Sequence, residues 1–153
     1  MQQKEATMQL SDPNLHLKLQ EMCDCYLETD FAKQLAAMSK AQSKDLDEDA
    51  VKYLSLALMY GVTDRAQQLK MKKKKDGTVK ASLVIDDTKI SLPLPPAALF
   101  DRMVAVIRTI LHFEAGGGQM PLVLGLRNSQ IDLTVKLKEK EGETSLKITF
   151  PEE

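Results

Sequence analysis

The sequence predicts an α+β domain, in which N-terminal helices precede two three-stranded antiparallel meanders that flank a central helix. Apolar residues recur every three to four positions up to residue 61 and at alternate positions from residue 69, which marks a change from helix to strand. A second helical stripe covers residues 99–111, and strand-like alternation resumes after it. Because the strands alternate apolar and polar residues, we expect the helices to pack on one sheet face.

The composition allows one such domain with its own core. The chain has 153 residues, of which 43% are hydrophobic, within the size range of a single domain. Lys and Arg number 21 against 22 Asp and Glu, so the overall charge gives no general attraction to nucleic acid or anionic lipid. The longest apolar stretches, such as Met103–Ile107, are far shorter than the roughly 20 residues that span a bilayer. We therefore expect neither nucleic-acid binding nor membrane insertion.

The first ten residues are polar without a sustained period, which predicts a flexible tail. Ser11 or Asp12 can cap the helix that follows, and Pro13 can occupy its first turn, where a missing N–H costs nothing. The N-terminus also lacks the basic start, apolar centre and cleavage site of a secretory signal, so we expect a cytoplasmic protein.

Residues 11–44 are predicted to form a helical arm, as one long helix or as two with a break near Thr29. The apolar stripe of this arm is the candidate protein interface. It packs either on a protein partner or a second copy, as in a homodimer, or back on the chain's own sheet, as most amphipathic helices do. Its residues are Leu15, Leu19, Met22, Tyr26, Phe31, Leu35 and Met38.

Residues 45–153 are predicted to form the α+β domain itself. Asp47 can cap its first helix, and Gly61 is placed to end that helix in a left-handed turn. A meander follows, with turns at Asp76-Gly77 and Asp86-Asp87, residue types that tolerate the positive φ of tight hairpins. Its predicted strands are residues 69–72, 78–85 and 88–92.

The central helix is predicted to start at Pro96, which can occupy a first helical turn. Gly116-Gly117-Gly118 is expected to end it with a flexible loop, and Glu141-Gly142 supplies the last hairpin turn. The predicted strands of this second meander are residues 122–126, 131–138 and 145–150.

No grouping of residues predicts catalysis, a cofactor or a metal site. His16 and His112 have no Cys, Asp or Glu at a metal-ligand spacing. Cys23 and Cys25 are one residue apart on a predicted helix, so their side chains point in different directions. The glycine run follows a helix and precedes a strand, the reverse of a phosphate-binding loop. We therefore expect a protein that is not an enzyme.

Lys70 and Lys72–Lys75 form the only dense basic run, beside the first predicted hairpin turn. Such a run can contact nucleic acid or phospholipid, but no aromatic residues interleave with it, as they do in many sites for single-stranded nucleic acid, and the rest of the chain is balanced in charge. We interpret the run as a solvated hairpin tip that discourages edge-to-edge pairing of sheets.

From about Asp49 to Phe150 the chain resembles the N-terminal, PAS-like domain that precedes the ATPase core in type II secretion and type IV pilus assembly ATPases. The resemblance rests on element order and on short motifs. The matching segments are Gly61-Val62-Thr63-Asp64-Arg65-Ala66, Asp76-Gly77, Ile85-Asp86-Asp87, Pro95-Pro96-Ala97-Ala98-Leu99-Phe100, Ile107-Arg108, Pro121 and Ile131-Asp132-Leu133-Thr134.

The residues that this family uses on nucleotide phosphate are missing here. The family's His falls on Ala66, its paired strand arginines on Ser82 and Val84, and its last arginine on Thr134. Arginine grips phosphate through two charge-assisted hydrogen bonds, which these side chains cannot make. The resemblance therefore implies a degenerate, stand-alone domain without the P-loop core, which keeps a protein-binding surface.

The leading hypothesis is a non-catalytic protein-binding adaptor or regulatory module, linked to a secretion or pilus-type machine. Two alternatives stay open. One is a small-ligand sensor of the nucleotide type, with a pocket between the sheet and the central helix. The other is a dimer like the secretion chaperones, which the chain resembles in architecture only.

Overall fold

The computed structural model describes residues 14–26, 29–40, 45–126 and 129–151. Its elements confirm the predicted α+β class. The helices are α1 (Leu15–Cys25), α2 (Phe31–Lys40), α3 (Leu46–Thr63) and α4 (Ala97–Leu111). The strands are β1 (Gln68–Lys73), β2 (Val79–Ile85), β3 (Thr88–Ser91), β4 (Gly117–Leu126), β5 (Ser129–Lys140) and β6 (Glu143–Thr149).

The two meanders join into one antiparallel sheet of six strands, in the order β3-β2-β1-β6-β5-β4. The join is the pairing of β1 with β6, which places Met71 opposite Leu146. It unites strands that are more than 70 residues apart in the sequence. The short edge strand β3 and the longer β4 are the outer members.

The predicted hairpin turns are present, and local backbone geometry explains their residue types. Asp86 and Asp87 have φ of 51° and 62°, and Glu141 and Gly142 have φ of 54° and 81°. Two consecutive residues with positive φ form the mirror-image turn whose twist matches that of paired strands. In the β1–β2 turn Gly77 has φ of 89°, and the Asp76 carboxylate accepts a hydrogen bond from the Thr78 N–H at 2.9 Å.

The helices cover only one face of the sheet. On that face the strands present buried residues such as Leu69, Leu83 and Ile148, which form one core with the helices. Helix α3 is the centre of the helical layer, since α1, α2 and α4 all pack against it. The ring of Tyr53 in α3 is fully buried, and its hydroxyl donates to the Pro93 carbonyl at 2.5 Å. Within the described part of the chain no helix covers the other face of the sheet, which we call the open face.

The described arm consists of two helices, since α1 ends at Cys25 and α2 begins at Phe31. Both helices pack on α3, and α1 also contacts β4, so the arm shares its core with the α+β body. The predicted caps at Ser11 and Asp12 and the predicted tail lie outside the described residues.

Helix α3 differs from its prediction at both ends. Its N-cap is Asp45, whose carboxylate accepts from the Glu48 N–H at 3.1 Å, whereas Asp47 accepts from Arg102 Nε at 2.6 Å. The helix does not end at Gly61 but continues to Thr63. Gly61 is needed for packing, since a Cβ there would lie 2.3 Å from Phe150 Cζ.

The glycine run also differs from the predicted loop. Gly117 and Gly118 belong to β4. Gly117 has φ of 100°, and a Cβ at this position would lie 2.0 Å from the Leu137 carbonyl oxygen. The run therefore lets the chain approach its neighbouring strand closely.

Candidate functional site

Lysines dominate the open face of the sheet. Successive residues of a strand point to opposite faces, so Lys70 and Lys72 point outward where Leu69 and Met71 point to the core. The register of the pairs extends this face to the neighbouring strands. We call the outward lysines the lysine face: Lys70, Lys72, Lys80, Lys89, Lys136, Lys138, Lys140 and Lys147.

Several of these lysines lie directly opposite one another in the sheet. Lys147 on β6 is paired with Lys70 on β1 and with Lys136 on β5. Lys72 on β1 is paired with Lys80 on β2. Like charges directly opposite each other destabilise a sheet. The arrangement thus costs stability, and an anion placed over the face would offset that cost.

Few carboxylates neutralise the lysine face. In the described strands only Asp132 and Glu143 share this face, and Glu143 lies 3.4 Å from Lys72 Nζ. Across residues 14–26, 29–40, 45–126 and 129–151, the other lysines of the face have no carboxylate within ion-pair distance. Lys73, by contrast, points to the helical side and donates to Asp101 at 2.7 Å.

The charge of the molecule is therefore strongly separated. Eight lysines against two carboxylates leave six net positive charges on the open face. Because the whole chain has a formal charge of −1, the rest of it carries seven net negative charges. The near-neutral total conceals this separation. A local basic field of this kind attracts polyanions at a distance of about one Debye length, roughly 8 Å in physiological salt.

A groove of about 630 Å³ follows the lysine face where β3, β2, β1 and β6 lie side by side. Serine hydroxyls add hydrogen-bonding groups to its floor. The segment after β3 forms one wall, where Leu94 is 48% exposed. The polar residues that line the groove are Lys70, Lys72, Lys80, Ser82, Lys89, Ser91, Ser145 and Lys147.

The candidate interface predicted on the helical arm lies inside the molecule. Leu15, Leu19, Phe31 and Leu35 are at most 8% exposed. The remaining three members of the stripe, Met22, Tyr26 and Met38, are partly buried and pack against the same core. The described arm folds back on its own body, and it packs mainly on α3 rather than on the sheet. The stripe therefore contributes to the core of the described structure rather than to an exposed apolar surface.

The predicted ligand pocket between the sheet and the central helix is filled with side chains. Met103, Val106 and Ile107 of α4 are fully buried in the core. The groove lies on the opposite face of the sheet. Ser82, Val84 and Thr134, the positions matched to family arginines, all point to this open face, whereas Ala66 is buried.

The thiols and imidazoles of the described chain are not arranged as a reactive group. Burial raises the pKa of the Cys23 thiol to about 12, so this sulfur stays protonated at neutral pH. Cys25 is exposed. His16 Nε2 donates to the Val123 carbonyl at 2.8 Å, which ties α1 to β4. Within the described residues no group of three or more His, Cys, Asp or Glu side chains is placed to hold a metal ion.

Sequence reasoning missed the lysine face, although part of its signal was visible. Lys136 and Lys138 alternate with Val135 and Leu137 in the sequence. This alternation already places the two lysines on the same face of a strand. The missing information was the pairing of β1 with β6, which brings this group beside Lys70.

No protein-family model matches the chain, and no curated protein matches it. No helix in the described part of the chain has the length and apolar character needed to cross a bilayer. The functional inference therefore rests on the geometry and charge of the lysine face.

Proposed function

We propose that this protein is a non-catalytic binding module that holds an anionic macromolecular partner against its lysine face. The observation that carries the proposal is the set of like-charge pairs on an open sheet face, with Lys147 between Lys70 and Lys136. Such pairs cost folding stability when the face is empty. An anionic partner that neutralises these lysines would remove that cost, so the repulsion would favour binding.

The partner in this proposal is large. The lysines belong to five neighbouring strands, and strand neighbours are roughly 4.8 Å apart, so the array is about 19 Å wide. A single small anion would contact only part of it. The narrower prediction of a protein-binding adaptor fits this proposal if the protein partner presents an acidic surface. The link to a secretion or pilus-type machine and the chaperone-like dimer stay predictions from resemblance alone.

The test is binding of labelled polyanions, measured by fluorescence anisotropy. Two soluble probes, polyglutamate and a homopolymer RNA, are titrated with the intact protein at about 0.05 M and 0.2 M salt. The face variant carries Lys70→Gln, Lys136→Gln and Lys147→Gln. The matched control carries the same loss of charge on the helices, through Lys18→Gln, Lys33→Gln and Lys52→Gln.

We expect binding of at least one probe that weakens steeply with salt, since counterions are released on binding. The face variant should lose about a hundredfold in affinity, on the basis of about 1 kcal/mol for each of its three lysines near an anionic surface. The helix control should lose much less affinity for the same probe. Equal losses in both variants would show that net charge alone matters, and the proposal would then fail.

A second candidate function is favoured by the groove itself. Five lysines and three serines line a space of about 630 Å³, a size that suits one small phosphorylated ligand. This corresponds to the predicted nucleotide-type sensor, moved to the opposite face of the sheet. Nucleotides that bind only the folded protein would raise its melting temperature. A shift that disappears in Ser82→Val combined with Lys89→Gln, but not in the helix control, would favour this candidate.

A further inference from the structure

The lysine face is a two-dimensional array whose charges all lie on the same side of the sheet. Lys136, Lys138 and Lys140 follow one strand, β5, over about 13 Å. Across the strands, the array extends from Lys89 on β3 to β5, roughly 19 Å at the usual strand spacing. Flexible lysine stems let all these ammonium groups reach one plane. An extended acidic peptide would follow a single line across such an array and leave most of it unused.

The chemistry of the face suits a diffuse anionic surface better than nucleic acid. Among the outward residues of the described strands there is no Phe, Tyr, Trp or Arg. Single-stranded nucleic acids are held by bases stacked on aromatic rings, and guanidinium groups supply the bidentate contacts to phosphate and guanine. Lysine ammonium groups act as point charges without such geometry. They match a layer of lipid headgroups that is charged but has no fixed pattern.

Exposed apolar side chains flank the lysine face at both edges of the sheet. Leu94, in the segment after the edge strand β3, is 48% exposed and borders the groove. Val123 points outward from the other edge strand, β4, and is 41% exposed. Apolar side chains beside a polybasic patch strengthen the attachment of peripheral proteins to membranes, because they enter the interfacial region.

From these three features we infer that the lysine face attaches the protein peripherally to the surface of an anionic phospholipid bilayer. This inference rests on the proposed function, since it names the polyanion that the face binds. Clusters of four to eight lysines are typical of electrostatic attachment to anionic leaflets. The sheet would lie parallel to the bilayer, with β1, β6 and β5 over the headgroups and the helical layer facing away.

The experiment is co-sedimentation of the intact protein with vesicles. One set contains phosphatidylcholine with roughly a third phosphatidylserine, and the other contains phosphatidylcholine alone. The face variant (Lys70→Gln, Lys136→Gln, Lys147→Gln) is compared with the helix control (Lys18→Gln, Lys33→Gln, Lys52→Gln). A third variant, Leu94→Ser with Val123→Ser, tests the apolar edges. Circular dichroism verifies that each variant is folded.

We expect binding to the anionic vesicles only, with release as salt rises from about 0.1 M to 0.5 M. Each lysine removed from the face should lower the partition coefficient about fivefold, so the face variant should lose about a hundredfold. The helix control should stay within about threefold of the unmodified protein. The edge variant should bind more weakly at every salt concentration, because its contribution is not electrostatic.

Soluble polyanions separate failure of this inference from failure of the proposed function. Binding of polyglutamate or homopolymer RNA through the face, without binding to anionic vesicles, would overturn the membrane inference and leave the binding module intact. Binding to neither the vesicles nor the soluble polyanions would overturn both. Equal binding to neutral and anionic vesicles would also contradict the inference, because the lysines would then have no role.

Discussion

Removing the charge of Lys147 should stabilise the protein, although this residue lies on an interior strand of the sheet. Lys147 on β6 lies directly opposite Lys70 on β1 and Lys136 on β5, and no acidic residue shares these positions. The substitution Lys147→Gln keeps the first two methylene groups of the stem and removes the charge. It therefore relieves two repulsions in a single step, with little change in packing.

The expected gain in the free energy of unfolding follows from the distance between paired residues on neighbouring strands. Unit charges about 5 Å apart repel by roughly 0.8 kcal/mol in water. Screening in physiological salt, where the Debye length is about 8 Å, reduces this to about 0.4 kcal/mol for each pair. Two pairs give about 0.8 kcal/mol in the free energy of unfolding. For a domain of this size the melting temperature should rise by about 2 to 3 °C.

The matched control is Lys138→Gln, on the neighbouring strand. Lys138 points to the same face but is paired with Ser145 and Gly117, neither of which is charged. Thermal unfolding is followed by circular dichroism in about 0.05 M and 1 M salt. The difference between the two variants should be largest at low salt and vanish at high salt. A Lys147→Gln variant that melts at or below the control at low salt would refute the account of the face as strained by repulsion.

Four further predictions concern the core and its borders. Gly61→Ala should lower the free energy of unfolding, measured in urea, by about 1 to 3 kcal/mol, because its Cβ would lie 2.3 Å from Phe150 Cζ. A smaller residue at position 150 should restore part of this loss. If that second substitution restores nothing, the packing of Gly61 against Phe150 is contradicted. Asp45→Ala should lower the free energy of unfolding by about 1 kcal/mol and Asp45→Ser by much less, since a serine hydroxyl can also accept the N-cap hydrogen bond of α3. Equal losses in the two variants would argue against the cap. A thiol reagent at pH 8 should modify Cys25 rapidly and Cys23 only after unfolding. Burial raises the pKa of the Cys23 thiol from 9.0 to about 12. The contribution of the buried, protonated thiol to the free energy of unfolding is therefore complete below pH 9 and is lost as pH rises toward 12. A denaturant midpoint that stays constant from pH 9 to 11 would contradict this.

Features set by short stretches of sequence could be predicted, since their causes are local. The hairpins at Asp86-Asp87 and Glu141-Gly142 follow from residues that tolerate positive φ. The strand alternation follows from which residues face a core. These signals also gave the two meanders and the helix between them.

Features that depend on distant partners could not be predicted in the same way. Gly61 has the residue type of a helix end, but the side chain that requires a glycine there is Phe150, 89 positions later. The stripe on the arm is equally compatible with a partner or with the chain's own α3, because both are apolar surfaces. Lys70 and Lys147 are separated by 77 positions, and only the pairing of β1 with β6 makes them neighbours.

The most direct test of the lysine face as the working surface is an amide chemical-shift titration by NMR, which suits a chain of 17.1 kDa. A polyanion is added stepwise to the isotopically labelled protein at low salt. The largest shifts should fall on the outward residues of β1, β5 and β6, around Lys70, Lys136 and Lys147. Shifts that cluster on the helices, or that spread evenly over the molecule, would contradict the account.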